Sequence, residues 1–270
     1  MTAFQRVIKY LAIALAIFII FSIFSVIGEL GSGIFGFLLN RTNTTIVDTI
    51  NINNAINTID IDLKYANLDI KKSDVFKVEI SNKKINVEES DNKLTIKDNS
   101  KKFISNTKET VILYLPDYVL NDTIINTGAG DLNIEYLITN NLNLDLGVGK
   151  TIIDYIEATK STIKTGVGTL IINDAKLNNS DIDIGIGKSI ISGILTGDNT
   201  IDAGVGETTL ELVGNKNDYK IKFNKGIGNI KYNNENVANN STIGDGNTTI
   251  SIDGGIGNFI VKTVTINSDF

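Results

Sequence analysis

The chain has 270 residues, enough for one or two domains, with a net charge of −6 and neither His nor Cys. Lacking Cys, it has no disulfide framework and no thiolate metal site; lacking His, it has no nucleophilic triad of the usual kind. Arg6 and Arg41 are its only arginines, and this acidic, arginine-poor balance disfavours nucleic acid, which needs a basic face.

The first expected element is a membrane anchor. Tyr10 to Ile27 carries no charge and is mostly Leu, Ile, Ala, Phe and Val. As a helix it spans ~27 Å, close to a hydrocarbon core of ~30 Å. Arg6 and Lys9 precede it and Glu29 follows, so the positive-inside rule keeps the N-terminus cytoplasmic and exports the rest. A cleaved signal peptide is the competing reading; the apolar run is long for one, and no small-x-small cleavage site follows. Beyond the run, Gly28, Ser32 and Gly36 recur every four residues, a spacing that lets membrane helices approach closely. The plainer reading is a juxtamembrane segment. Residues 1–40 are thus taken as cytoplasmic stub, single-pass anchor and juxtamembrane segment, and 41–270 as an extracytoplasmic domain.

Residues 41–126 read as irregular β-coils. Alternating apolar pairs occur at Ile59/Ile61, Leu68/Ile70, Val78/Ile80, Ile85/Val87 and Leu94/Ile96. A β-stack starting near Ile50 is expected, interrupted by a polar loop from Lys97 to Lys108 and resumed by the strand Val111 to Leu115, before Pro116.

Residues 127–270 are regular. A Gly-apolar-Gly tripeptide recurs at 128–130, 147–149, 166–168, 185–187 and 204–206 in steps of 19; copies at 226–228 and 255–257 follow after 22 and 29. A fixed period near twenty marks stacked units that lean on their neighbours. Within a unit the apolar period is two: Leu142, Leu144, Leu146 and Val148 alternate with Asn143, Asp145 and Gly147. That pattern predicts strands with one buried face. Behind the tripeptides a second short strand carries Leu132 and Ile134, Ile153, Leu170 and Ile172, Ile191, and Leu210. Its alternation is out of phase by one, as a bulge or corner at glycine requires. The fold class predicted is all-β: a parallel β-solenoid (β-helix) with coils of about 19 residues, Val148, Val167, Ile186 and Val205 in one column, and an N-terminal transmembrane helix ahead of it.

Stacking also sets charge ladders. After the second glycine come Asp131, Lys150, Thr169, Lys188 and Glu207, with no like charges adjacent; before the first come Asp145, Lys164, Asp183 and Asp202. Asp183 and Asp202 would repel. A cation between them is one resolution, a solvated pair splaying apart the plainer one.

The run Thr58 to Ile80, the strand VILYLPDY (Val111 to Tyr118) and the Gly-x-Gly coils together resemble the bacterial putative adhesin family over about residues 46–270. The resemblance implies an exported or membrane-anchored protein with a β-helix, a cell-surface location and, in some members, a link to envelope stress. It supplies no catalytic residues.

Other motifs fail on context. Gly149-Lys150-Thr151 and Gly187-Lys188-Ser189 lack the upstream glycine and following helix of a phosphate loop, so no nucleotide is expected. A calcium β-roll repeats every nine residues, not 19. Asp154, Glu157 and Glu135 could pair as glycosidase carboxylates but are scattered along the coils. The expectation is no catalytic residue, no cofactor and no metal. The function expected is a non-catalytic cell-surface module contacting the membrane through its helix, and cell-wall polymer or envelope proteins through its coils. The alternative is a regulatory or sensing part of an envelope-stress pathway; a cell-wall glycan enzyme comes third.

Overall fold

The structure, a computed structural model, describes residues 45–99 and 109–264. The expected anchor and the small-residue face from Gly28 to Gly36 lie outside them. Among the described residues no helix is long and apolar enough to cross a membrane; every regular element is a strand.

The N-terminal strands are β1 (Asp48–Asn51), β2 (Thr58–Leu63), β3 (Ala66–Lys72), β4 (Lys77–Ile80), β5 (Ile85–Ser90), β6 (Lys93–Asp98) and β7 (Glu109–Leu115). The regular coils comprise β8 (Leu120–Ala129), β9 (Leu132–Asn178), β10 (Ser180–Thr196) and β11 (Asp198–Val213). β9 is long because the chain bends through the Gly-x-Gly corners without losing its ladder. The C-terminal strands are β12 (Tyr219–Asn224), β13 (Ile227–Tyr232), β14 (Glu235–Asn236), β15 (Ser241–Ile243), β16 (Thr248–Asp253) and β17 (Ile256–Val264).

Equivalent residues 19 apart are parallel partners: Ile163 with Ile182, and Ile182 with Ile201. Inward side chains therefore stack like on like. One core column runs Ile96, Ile61, Ile125, Leu144, then Ile163, Ile182, Ile201, Ile252 and Phe223. All are essentially buried, each contributing roughly 1.5–3 kcal/mol by leaving water. The coils are parallel and in register, as the 19-residue period requires.

The order of coils at both ends departs from the sequence-based expectation. At the N-terminal end β2 lies between β6 and β8, and β3 between β7 and β9. At the C-terminal end β16 and β17 lie between β11 and the pair β12–β13. Thus Val205 stacks on Ile256, and Ile256 on Ile227, although Ile227 comes earlier in the chain. The steps of 22 and 29 are not two successive coils; together they span a coil placed outermost and a return that slides beneath it.

Nor is the first half a set of coils throughout. β1 pairs β4, β4 pairs β7 and β5 pairs β6, all antiparallel. Val78/Ile80 and Ile85/Val87 belong to these capping strands, because alternation reports a buried face and not the direction of the neighbour. Short antiparallel strands β14 and β15 close the other end, blunting edges that would otherwise template another chain. The expected polar loop also starts later than Lys97, since Lys97 and Asp98 are in β6; residues 100–108 lie outside the description. Asp98 is buried and accepts the Tyr65 backbone N–H at 3.2 Å.

Candidate functional site

The Gly-x-Gly corner needs glycine twice. Gly149, Gly168, Gly187 and Gly206 have φ of 157°, 149°, 140° and 139°, a region that L side chains rarely adopt. A Cβ on any of them would also collide with the carbonyl oxygen of the equivalent glycine one coil below, and the first glycine of each tripeptide is crowded in the same way. Coils approach so closely here that the residue between the glycines has only one direction left, outward.

The column Val148, Val167, Ile186, Val205 therefore exists but faces solvent. Ala129 pairs with Val148, Val167 with Ile186, Ile186 with Val205, Val205 with Ile256, and Ile256 with Ile227; the glycines of 166–168 sit directly over those of 147–149. Exposure rises along the ridge, from 39% at Ile186 and 40% at Val205 to 52% at Ile256 and 76% at Ile227. The sequence pattern, read as one unbroken alternation, puts Val148 with Leu142, Leu144 and Leu146 on the buried face. The phase slip falls one residue earlier, inside the glycine pair. At ~4.8 Å per coil the ridge is about 29 Å long. The furrows beside it enclose about 20 Å³ each, room for a water and not for a substrate.

Ladders of charge flank the ridge. On one side Lys164 lies 3.7 Å from Asp183, and Asp183, Asp202 and Asp253 are consecutive partners. Partial burial and then the Asp253, Asp183 and Asp181 charges raise the Asp202 pKa above the ordinary carboxylate range. The expected Asp183–Asp202 repulsion is present and extends one rung further. Among the described residues no group of acids is arranged to hold a metal ion. On the other side Lys188 lies 3.4 Å from Glu207, and Asp131 accepts the Lys150 backbone N–H at 3.1 Å.

A second outward column crosses the sheet that follows the corner. Tyr136 and Tyr155 stack at 4.8 Å with 12° between their planes. The Lys72 ammonium lies 4.0 Å from the Tyr136 ring centre and that of Lys176 5.3 Å from the Tyr155 ring centre. Lys72 also pairs with Asp117 at 2.7 Å, and that hydrogen bond raises its pKa; Tyr155 donates to Glu157 at 2.6 Å and its bond with Lys176 raises the lysine's pKa. Both ring faces of each tyrosine are covered, so the column offers ring edges, hydroxyls and ammonium groups. It has no open platform for a sugar ring.

The carboxylates considered from sequence lie on this same sheet. Asp154 accepts Asn173 at 2.9 Å, Glu157 accepts Tyr155, and Glu135 accepts the Lys72 backbone N–H at 3.3 Å. Asp154 and Glu135 are engaged from the adjacent coil and Glu157 from its own strand. Lys150 and Lys188 lie on the outer surface beside the ridge, with strand continuing after each. The tyrosine column escaped sequence reading although Tyr136 and Tyr155 are 19 apart; Lys72 carried no signal, because it enters the column only through the reordered first coil.

A "putative adhesin" of Bacteroides fragilis is 18% identical, covering 82% of this chain and 98% of its own, with a TM-score of 0.42. A "putative cell adhesion protein" of Clostridium sporogenes is 17% identical over 80% of this chain and 98% of its own, with a TM-score of 0.32. A "putative lipid binding protein" of Parabacteroides distasonis is 16% identical over 78% and 96%, with a TM-score of 0.31. No curated protein matches the chain. The profile of the Toastrack DUF4097 family matches residues 56–270, nearly all of the β-stack, and the chain belongs to that family.

Proposed function

We propose that the chain is a non-catalytic module of the bacterial cell surface, held by a single N-terminal helix at Tyr10–Ile27 with its N-terminus cytoplasmic and its β-stack outside. Its coils contact cell-wall polymer or an envelope protein, acting as an adhesin or an envelope scaffold. One observation carries this reading: outward side chains stack rung on rung along a rigid stack, as Lys72, Tyr136 and Tyr155 do, with Lys176 reaching the Tyr155 ring diagonally from the next coil. Such a line of ammonium groups and hydroxyls suits an extended, repeating partner lying along it. A catalytic cleft would need groups that converge.

The test is co-sedimentation of the detergent-solubilised full chain with purified cell walls and, in parallel, crosslinking in intact envelopes. Replacing Lys72 and Tyr136 by Ser is expected to lower wall or partner capture at least tenfold while leaving the fold intact. Capture unchanged by these substitutions, or no capture in either assay, would remove the reading. Exchanging Tyr10–Ile27 for an unrelated spanning helix is expected to preserve function; loss of function would favour signalling through the membrane instead.

A further inference from the structure

We propose that two copies of this chain pack side by side, Gly-x-Gly ridge against Gly-x-Gly ridge, about a two-fold axis parallel to the stack. The ridge is a continuous line of Val and Ile, exposed at Ile186, Val205, Ile256 and Ile227, and a single row of apolar side chains is self-complementary about such an axis.

Charge decides both the partner and its direction. The ladder before the ridge holds Asp145, Lys164, Asp183, Asp202 and Asp253, four acids against one lysine; the ladder after it holds Asp131, Lys150, Thr169, Lys188 and Glu207, two of each sign. Were the ridges antiparallel, the acidic ladder would face itself. With the ridges parallel, the acidic ladder of one copy faces the mixed ladder of the other at equal height. Asp145 then comes opposite Lys150, and Asp183 opposite Lys188, each twice by symmetry. Asp202 opposite Glu207 is the one unfavourable rung, next to a lysine that already lies 3.4 Å from that glutamate. The parallel arrangement also sets β1 of both copies at the same end of the pair, so both chains enter from one side. Ridge contact alone covers less area than a freely diffusing dimer needs; the pairing therefore rests on the membrane anchor proposed above, which would hold both copies in one plane and raise their effective concentration.

The absence of native Cys makes the test direct. Single substitutions Val167→Cys, Ile186→Cys, Val205→Cys and Ile256→Cys are made in the full chain, with Lys160→Cys, at the opposite corner, as control. Mild oxidation in native membranes is expected to give disulfide-linked dimers at all four ridge positions and at least tenfold less at Lys160, because residues beside a parallel axis meet their own copies. Adding Ile186→Asp, an exposed change that leaves the core alone, to the Val167→Cys chain is expected to cut that dimer at least tenfold. A dimer at only one ridge position would mean antiparallel packing and overturn the proposal. So would ridge thiols shielded from a maleimide without crosslinking, which would assign the ridge to a lipid, polymer or other protein, or equal crosslinking at Lys160. Wall capture through Lys72 and Tyr136 is read separately.

Discussion

Thr123 sits in β8 with Ile59 on one side and Leu142 on the other. It is fully buried and its hydroxyl has no partner. Further along the same column the polar side chains satisfy one another: Ser161 and Ser180 bond through their hydroxyls at 2.8 Å, and the Asn199 side-chain oxygen accepts the Ser180 backbone N–H at 3.1 Å. Asn199 also donates to the Thr196, Gly197 and Thr249 carbonyls, plugging the turn at the far corner. A buried hydroxyl between two apolar rungs carries its desolvation cost with no return. Thr123→Val, which keeps the shape, is expected to stabilise the fold by about 1 kcal/mol, seen as a higher urea midpoint at unchanged slope. A lower midpoint would show that the hydroxyl is bonded after all.

Among elements, the caps are each pinned by a tyrosine. Tyr118, edge-on to Phe76 with ring centres 6.4 Å apart, donates to the Ile56 carbonyl at 2.8 Å. Tyr219, at the start of β12, donates to the Val213 carbonyl. Burial pushes both phenols up to about 12, against about 10 in an unfolded chain. Their contribution is complete below pH ~10 and is lost as pH rises towards about 12, because there the unfolded chain sheds the proton and the folded one retains it. The urea midpoint should be flat from neutral to pH ~10 and then fall. Tyr118→Phe with Tyr219→Phe should flatten that fall, while costing about 1 kcal/mol per lost hydrogen bond at neutral pH. An alkaline fall unchanged in the double variant would refute the assignment.

These elements also show what could be read beforehand. The column of residues 148, 167, 186 and 205 was legible, because a strict period of 19 permits only vertical register. That it points outward was not: glycine has no side chain to mark the rung at which the alternation slips. Antiparallel caps were hidden because Val78/Ile80 alternates as Leu68/Ile70 does. The far corner was within reach, since Asn178-Asn179 and Gly197-Asp198 supply the turn residues, with φ of 52° at Asn179 and 70° at Gly197. The tyrosine column needed knowledge of which coil lies beside which, and residues distant in the chain decide that.

For the whole stack, the order of coils is itself testable. In the full chain Val205 and Ile227 are two rungs apart, with Ile256 between them, too far for a disulfide. A chain ending at Asn247 loses β16 and β17 and leaves β11 open. The Gly226–Gly228 corner has the same chemistry as Gly255–Gly257 and should drop onto Gly204–Gly206. With Val205→Cys and Ile227→Cys together, the shortened chain is expected to form an intramolecular disulfide under mild oxidation and the full chain none. A disulfide in neither would mean that β12–β13 cannot occupy the vacated place.

The interleaved C-terminal coils bear on the order in which the protein is made. β12 and β13 emerge before β16 and β17, and the nearest compatible surface waiting for them is β11. A nascent stack can therefore close one rung short, in the simple sequential arrangement, and reach its final form only when the later strands displace that provisional lid and lift it outward. Where that provisional closure forms, maturation ends in a strand exchange whose rate depends on how readily β12–β13 lets go of β11.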